Sequence, residues 1–246
     1  CSSDLWIQAI KKHEVDVVLQ DKRNVPLEKH FFDSQLGVCS LEDMRDVKDI
    51  PDYGVAMKRK RYRRPRTLPP SHIELVREIK VPCLFFCFSR KKCQENAVAL
   101  MRSRIFKVNP KISPIVRKML EDAPDEIRKL DSLRILLSTL PYGIAFHHAG
   151  LIPMMKEIVE ELFGSGLINV LYTTETFAVG INMPAKTVCF EALRKFDGIS
   201  FRPLNSKEYF QIAGRAGRRG MDKVGYVYAM VDRRDFNYET IKKMTD

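Results

Sequence analysis

Long apolar runs are missing from this sequence. The longest apolar stretch among its 246 residues is six residues, at 83–88, whereas a helix that crosses a bilayer needs about 20. The pattern of a signal peptide, with a basic start, an apolar centre and small residues at a cleavage site, is also absent. We therefore expect an intracellular protein, cytoplasmic or nuclear, that does not act at a membrane.

Cysteine is sparse and irregularly spaced. The six cysteines include no C-x-x-C pair of the kind that binds zinc, and their spacing does not match a compact disulfide framework. We expect them to be reduced thiols in the core. His147 and His148 are the other candidate ligands, but neighbouring side chains at a strand end point in opposite directions, and no third ligand has a suitable spacing. We predict no metal site.

Positive charge is abundant but unevenly distributed. The formal net charge is +11, and seven positive charges lie in the basic run 58–66, which leaves +4 for the rest of the chain. Net charge alone is therefore weak evidence for a nucleic-acid partner. The run also contains Tyr62, so it has the residue types that bind a strand by charge and stacking. A solvated linker between two domains is the alternative, and the two are compatible.

Strands alternate with helices over most of the chain. Apolar strands are predicted at 82–88, 143–146, 168–172, 187–190 and 225–231. Helices are predicted at 91–104, 113–121, 125–140 and 153–163. Ser71 and Glu74 have the spacing of a capping box, which predicts a further helix at 71–80. This alternation predicts an α/β fold with a mainly parallel sheet and helices on both faces.

Polar and glycine-bearing segments stand between these elements. They lie at 89–92, 147–150, 173–176 and 214–220. Ligands of such sheets bind at the carboxyl ends of the strands, in the loops that follow. We therefore expect all four segments to meet at one edge of the sheet.

The most specific segment is 211–220, with the sequence QIAGRAGRRG. Its Arg215 and Arg218 stand three residues apart, between glycines that let the backbone approach a partner closely. A guanidinium group is always charged, and its planar fork suits a phosphoryl group in its transition state. A solvated basic turn would explain an isolated pair of arginines, but not the whole Q-x-x-G-R-x-G-R pattern.

Several segments together resemble the motifs of superfamily 2 helicases. In chain order, the segments 86–93, 147–151, 173–184 and 211–220 are similar to motif IV, the loop before a long helix, motif V and motif VI. The segment 194–198, RKFDG, resembles a signature of the superkiller-type, exosome-assisting RNA helicases. The resemblance covers about 71–231 and implies the second RecA-like domain of such a helicase.

The resemblance implies which residues face the nucleotide. Arg215 and Arg218 would reach across an interdomain cleft to the γ-phosphate of ATP, and Gln211 would help to position that phosphate or the attacking water. These three residues form the expected catalytic set. Gly180 and Asn182 resemble the motif V positions that face the nucleotide, although some relatives carry Asp where this chain has Asn182. The five residues together form the expected ATP-binding set.

A second implied set contacts the nucleic-acid strand. It consists of Ser89, Arg90, His148, Gly150 and Thr174. Their side chains or main-chain groups donate to phosphates without distinguishing bases, which suits a motor that moves along any sequence. Thr174 and Ser89 have an alternative role, because each could instead be the N-cap of a helix that follows it.

Two motifs of these helicases are missing. Neither a G-x-x-x-x-G-K-[ST] phosphate loop nor a D-E-x-[DH] metal box occurs in the sequence, so ATP and Mg²⁺ would be bound mainly by another domain. Residues 1–35 resemble the tail of the first RecA-like domain and its crossover. Residues 36–80 are predicted to be a linker that contains the basic run and, at its end, the helix that enters the next domain. Residues 81–246 are predicted to be the second RecA-like domain. Because the chain begins at Cys1, we expect a piece of a longer protein. Because both motifs are absent, we expect this piece to be inactive by itself.

The expected function belongs to that longer protein. It would hydrolyse ATP and move 3′ to 5′ along single-stranded nucleic acid, with RNA as the expected strand. Its partners would be the strand, the first RecA-like domain of the same protein and an RNA-decay complex. Polarity and RNA preference rest on the resemblance alone. A DNA repair helicase of the same superfamily and a nucleic-acid-binding module without a motor are the two alternatives.

Overall fold

The computed structural model describes residues 23–46, 69–180 and 183–246, and most strands in these ranges belong to one sheet. The strands are β1 (Leu27–Asp33), β2 (Gly37–Cys39), β3 (Cys83–Phe86), β4 (Ile144–His147), β5 (Val170–Thr173), β6 (Thr187–Phe190), β7 (Arg194–Phe196), β8 (Phe201–Pro203) and β9 (Gly225–Met230). Strands β7 and β8 form a separate antiparallel hairpin. The others are ordered β2-β1-β9-β6-β3-β5-β4, and every neighbouring pair is parallel except β1 and β2. The predicted mainly parallel sheet is confirmed.

Helices cover both faces of this sheet. They are α1 (Leu41–Asp46), α2 (His72–Glu78), α3 (Arg90–Arg102), α4 (Ile112–Met119), α5 (Asp125–Arg128), α6 (Asp131–Thr139), α7 (Pro153–Gly164), α8 (Glu175–Gly180), α9 (Ser206–Ala213) and α10 (Tyr238–Thr245). Phe85 of β3 packs against His72 of α2, with ring centroids 6.1 Å apart. Phe190 of β6 stacks on Tyr209 of α9 at 5.0 Å. Phe85 pairs with Cys189, the neighbour of Phe190, so the two aromatic side chains point to opposite faces.

The strands β3, β4, β5 and β6 are wholly buried. Because helices cover both faces, these strands are short continuous apolar runs rather than alternating ones. The cysteines of the described ranges are buried free thiols, as predicted: Cys39, Cys83, Cys87, Cys93 and Cys189. In the same ranges, no helix is long and apolar enough to cross a membrane.

The sheet begins upstream of the predicted domain boundary at residue 81. The sequence assigns 27–33 to the tail of a preceding domain, but these residues form β1 and pair along their length with β9. An ion pair reinforces this register, with Asp33 Oδ1 2.6 Å from Arg233 Nη2. Strand β2 and helix α1 then occupy the start of the predicted linker. Pairing between residues about 200 positions apart leaves no local signal in a sequence. The basic run 58–66 lies outside the described residues.

The helix predicted at 125–140 is two helices, α5 and α6. Leu130 lies between them with an extended backbone. The side chain of Arg128 donates three hydrogen bonds to main-chain carbonyls of the preceding turn, which ties α5 to that turn rather than to α6. Leu130 is consequently 36% exposed, whereas Leu133 is fully buried. The predicted apolar stripe is therefore interrupted at Leu130.

Capping bonds form at a different helix from the predicted one. Ser71 occupies the N-cap position of α2, but its side chain makes no capping hydrogen bond. A capping box forms instead at α9, where Asn205 Oδ1 accepts from the Glu208 amide at 2.9 Å. The Glu208 carboxylate accepts from the Asn205 amide, also at 2.9 Å. Both pairs have the same spacing, so the pattern alone does not distinguish them.

Candidate functional site

The two edges of the sheet carry different predicted site residues. Ser89, His148 and Thr174 follow β3, β4 and β5, so they lie at the carboxyl edge, where the parallel strands end. The loop 214–220, called the arginine loop below, lies between α9 and β9 and therefore at the amino edge, where those strands begin. The expectation that all four polar segments share one edge is wrong, because this loop returns from a helix instead of leaving a strand.

The arginine loop is bonded to the segment that leads into β6. The Ala185 amide donates to the Arg215 carbonyl at 3.0 Å, and the Gly217 amide donates to the Ala185 carbonyl at 2.7 Å. Gly217 has a φ of +83°, and a Cβ there would lie 2.5 Å from Val25 Cγ1. Only glycine fits this position without strain or displacement. The loop backbone is therefore held on two sides.

The side chain of Arg215 connects the arginine loop to α8. Its Nη2 donates to the main-chain carbonyl of Ala178. Burial lowers the pKa of Arg215 from its ordinary value, but a guanidinium group remains charged in proteins. A positive charge is thus fixed between α8 and the loop.

The side chain of Arg218 is held by a carboxylate four residues later in the chain. Its Nε lies 2.8 Å from Asp222 Oδ2, and its Nη2 lies 3.0 Å from Oδ1. The Asp222 side chain is only 4% exposed and also accepts from the Arg218 amide. The hydrogen bond between them lowers the pKa of Asp222 and raises that of Arg218. This bidentate pair fixes the plane of the guanidinium group and leaves Nη1 on the edge away from Asp222.

The other predicted nucleotide-facing residues lie near α8. Gln211 is exposed on α9 and borders a cleft that Ala178 of α8 also lines. Gly180 is the last residue of α8, and Asn182 lies outside the described residues. Gln211 and Arg215 therefore both lie against α8, the helix that ends at Gly180.

At the carboxyl edge, Arg90, His148 and Gly150 form one contact group. A Cβ at Gly150 would lie 3.3 Å from both Arg90 Nη1 and His148 Nδ1. The Gly150 amide donates to His148 Nδ1 at 3.2 Å, so its hydrogen already has a partner inside the domain. Burial, and then the positive charge of Arg90, lower the pKa of His148 to about 4. The imidazole is therefore neutral at pH 7 and adds no positive charge here.

Two hydroxyl groups stand at the same edge. Ser89 occupies the N-cap position of α3 and is exposed, but its side chain makes no capping hydrogen bond. Thr174 directly precedes α8, and its hydroxyl lies 3.0 Å from that of Thr176. The capping alternative for Ser89 therefore finds no support in its hydrogen bonds.

The side chains of the adjacent histidines contact helices on opposite faces of the sheet. His147 Nε2 lies 2.9 Å from Glu160 Oε1 on α7, whereas His148 Nε2 lies 3.1 Å from the Gln94 amide on α3. Burial lowers the pKa of His147. Among residues 23–46, 69–180 and 183–246, no group of three or more His, Cys, Asp or Glu side chains is arranged to hold a metal ion.

Comparison with known proteins identifies the domain. The family described as helicase conserved C-terminal domain matches residues 123–220, a range that contains β4, β5, β6, α9 and the whole arginine loop. The chain contains a helicase C-terminal domain. Its mainly parallel sheet is the RecA-like fold expected of that domain.

Its relatives are helicases of the MTR4 and superkiller group. The human exosome RNA helicase MTR4 is 38% identical over an alignment that covers 93% of this chain and 24% of the relative. The Schizosaccharomyces pombe ATP-dependent RNA helicase mtr4 is 34% identical, with 93% and 23% covered. The mouse superkiller complex protein 2 is 34% identical, with 90% and 20% covered. The chain thus spans about a quarter or less of these relatives' length.

Sequence reasoning missed two residues that hold the arginine loop. Arg23 Nη2 donates to the Gly214 carbonyl at 2.7 Å and also to the Ala216 carbonyl, on either side of Arg215. Arg23 is 191 residues from Gly214, so no local pattern connects them. Asp222 could have been found, because it stands four residues after Arg218, at a spacing typical of ion pairs within one turn.

Proposed function

We propose that the chain is the second RecA-like motor domain of an ATP-dependent RNA helicase and that it supplies the arginine fingers. One observation carries this proposal, namely that the arginine loop presents two oriented guanidinium groups. Asp222 orients Arg218, and the Ala178 carbonyl orients Arg215. Preorganised cations suit a phosphoryl group on which negative charge is redistributed in the transition state.

ATP and Mg²⁺ would be bound between this domain and a preceding RecA-like domain. The guanidinium donors fit the anionic end of a nucleotide, but the sequence contains neither a phosphate loop nor a D-E-x-[DH] box. The phosphate cradle and the metal ligands would therefore belong to the preceding domain. When bound, ATP supplies the γ-phosphoryl group that is transferred to water. Gly180 and Asn182 would face the nucleotide from this side of the cleft.

The arginines would act on the charge of the γ-phosphoryl group, and Gln211 would position that group or the attacking water. An arginine finger contributes on the order of 10³–10⁵ in rate, which is roughly 4–7 kcal/mol of transition-state stabilisation. Because the fingers and the phosphate loop would lie on different domains, hydrolysis would depend on domain closure. That dependence links ATP hydrolysis to stepping along the strand.

The carboxyl edge would hold the nucleic-acid strand. Ser89 and Arg90 are exposed and Thr174 is half-buried, so their polar groups are available to phosphate oxygens. Contacts of this kind position a strand without distinguishing its bases. With about four phosphate contacts, log K for binding should fall with log salt at a slope of about −3. Movement in the 3′ to 5′ direction is part of the same proposal.

The preference for RNA and the partner complex follow from the names of the relatives. Two of them are called exosome RNA helicase and superkiller complex protein. We therefore propose single-stranded RNA as the substrate and an RNA-decay complex as the partner. The preceding RecA-like domain of the same protein completes the motor.

Replacing Arg218 by Ala in the full-length protein tests the proposal. We expect RNA-stimulated ATP hydrolysis to fall by about 10³-fold or more, while binding of single-stranded RNA stays nearly unchanged. Arg234→Ala is the matched control, because Arg234 is also paired with a nearby aspartate, Asp232, but lies outside the arginine loop. Near-normal hydrolysis by the Arg218 variant would rule out its role as an arginine finger.

Further measurements on the full-length protein address the two alternatives. Faster unwinding of a DNA duplex than of a matched RNA duplex would indicate a DNA repair helicase. A full-length protein that binds strands without hydrolysing ATP would indicate a binding module without a motor. The chain by itself is expected to show no ATP hydrolysis and only weak, salt-sensitive strand binding.

A further inference from the structure

The hairpin β7–β8 inserts one lysine between two helices of the candidate site. Lys195 Nζ lies 2.7 Å from Glu175 Oε2, at the start of α8, and 3.0 Å from Glu208 Oε1, in the first turn of α9. The Lys195 side chain is only 14% exposed. The segment RKFDG, which resembles a family signature, thus contributes a half-buried cation that contacts both helices.

Helices α8 and α9 connect the two edges of the sheet. Each begins on the carboxyl-edge side, α8 directly after Thr174, and each leads toward the amino edge, where the arginine loop follows α9. At the far ends of the helices, Arg215 donates to Ala178. The two helices are therefore tied together near both ends, by Lys195 and by Arg215.

The electrostatic surroundings keep Lys195 charged. Burial by itself lowers the pKa of Lys195, but its bonds to Glu175 and Glu208 raise that pKa above the ordinary value. Glu208 also receives a bidentate bond from Arg202, at 2.9 and 2.8 Å. Removing Lys195 would thus leave Glu208 with Arg202 as a partner, but it would remove the bridge that joins Glu175 to α9.

We propose that Lys195 is a positioning residue that couples strand binding beside Thr174 to the placement of Arg215, because it fixes α8 against α9. This inference rests on the proposed function, since it requires both a bound strand and an acting arginine finger. Energetic coupling of this kind is carried by packed helices with discrete arrangements. Lys195 contacts neither the nucleotide nor the strand in this account.

The test uses the full-length protein and single-stranded polyuridine. ATP hydrolysis is measured with saturating polyuridine and without it, and the ratio of the two rates is the stimulation. For Lys195→Gln, which removes both ion pairs, we expect the stimulation to fall by about fivefold or more, with polyuridine affinity changed by no more than about twofold. Lys195→Arg keeps the charge and should restore most of the stimulation.

Arg202→Gln is the matched control, because among the described residues Arg202 has a bidentate ion pair with Glu208 and no ion pair with α8, where Glu175 attracts it only through space. We expect its stimulation to stay within about twofold of the wild type. Glu175→Gln removes only the ion pair with α8 and should lower the stimulation by as much as Lys195→Gln. If the lysine variant does not fold, the Glu175 variant tests the coupling by itself. Normal stimulation in the Glu175 and Lys195 variants would overturn the coupling role but not the proposed function. A loss of stimulation in Arg202→Gln as large as in these variants would do the same. A wild-type protein without stimulated hydrolysis would overturn the proposed function as well.

Discussion

The two edges of the sheet differ in how firmly their functional groups are held. At the amino edge, the arginine loop is hydrogen-bonded to the side chains of Arg23 and Asp222 and to the main chain of Ala185. At the carboxyl edge, Ser89 and Arg90 are exposed, and Ser89 makes no capping bond.

The difference matches the two tasks that we propose. A group that stabilises a transition state must be oriented before the reaction, because reorganisation at that moment would consume the stabilisation. A group that contacts a moving strand must release each phosphate in turn, so long or exposed side chains are suitable there.

Gly217→Ala should cause the largest loss, because it strains the arginine loop. A left-handed backbone costs a non-glycine residue roughly 1–2 kcal/mol. The overlap with Val25 adds typically 1–3 kcal/mol. We therefore expect the free energy of unfolding to fall by about 2–5 kcal/mol, measured by denaturant titration of the chain.

Gly220→Ala is the matched control for that experiment. Gly220 has a similar φ of +76°, but nothing lies within 4 Å of a Cβ built there. Its loss should be limited to the strain of about 1–2 kcal/mol. Equal losses in the two variants would show that the contact with Val25 does not hold the loop.

Asp222→Ala should impair hydrolysis more than it impairs strand binding. Arg218 would lose the bidentate partner that fixes the plane of its guanidinium group. We expect the RNA-stimulated rate of the full-length protein to fall about tenfold, which is about 1.4 kcal/mol. Asp232→Ala, which removes the partner of Arg234, is the control. A faster rate than the wild type would mean that Asp222 restrains Arg218 rather than orienting it.

Arg90→Gln should weaken strand binding at the carboxyl edge. Losing one phosphate contact should lower the salt slope of log K by about 0.7, measured by titrating single-stranded RNA at several salt concentrations. The rate of hydrolysis at saturating RNA should change little. Arg102→Gln removes the same charge from the other end of α3 and should leave the slope unchanged. An unaltered slope in the Arg90 variant would remove Arg90 from the strand-contacting set.

Replacing His148 should have the smallest effect near neutral pH, because its contribution to stability changes only in acid. Its folded pKa of about 4 lies below the ordinary value of 6.5, so the unfolded chain takes up a proton first as the pH falls. The contribution of neutral His148 to the free energy of unfolding is therefore complete above pH 6.5 and declines as the pH falls from 6.5 to 4. His148→Gln should therefore lose less stability than the wild type over that range. Identical declines would mean that His148 is not held neutral by the fold.

The strands β3 to β6 and the core that they form could be predicted from the sequence, because both depend on short apolar runs. Strands β3 to β6 coincide with such runs, and burial on both faces is the physical reason. Helix boundaries were less predictable, because Arg128 bonds to carbonyls of the preceding turn and Leu130 interrupts the helix. The two capping patterns, at Ser71 and Asn205, share their spacing, and the geometry that the surrounding fold imposes decides that only the second forms capping bonds.

The sequence by itself determined the residues of the arginine loop, because their identity, charge and glycine spacing are local properties. Only the tertiary structure decided where that loop lies and what holds it. The loop stands at the amino edge, opposite the residues expected beside it, since its edge depends on the helix that precedes it. Its contacts with Arg23, and those of Lys195 with α8 and α9, join residues that only chain folding brings together.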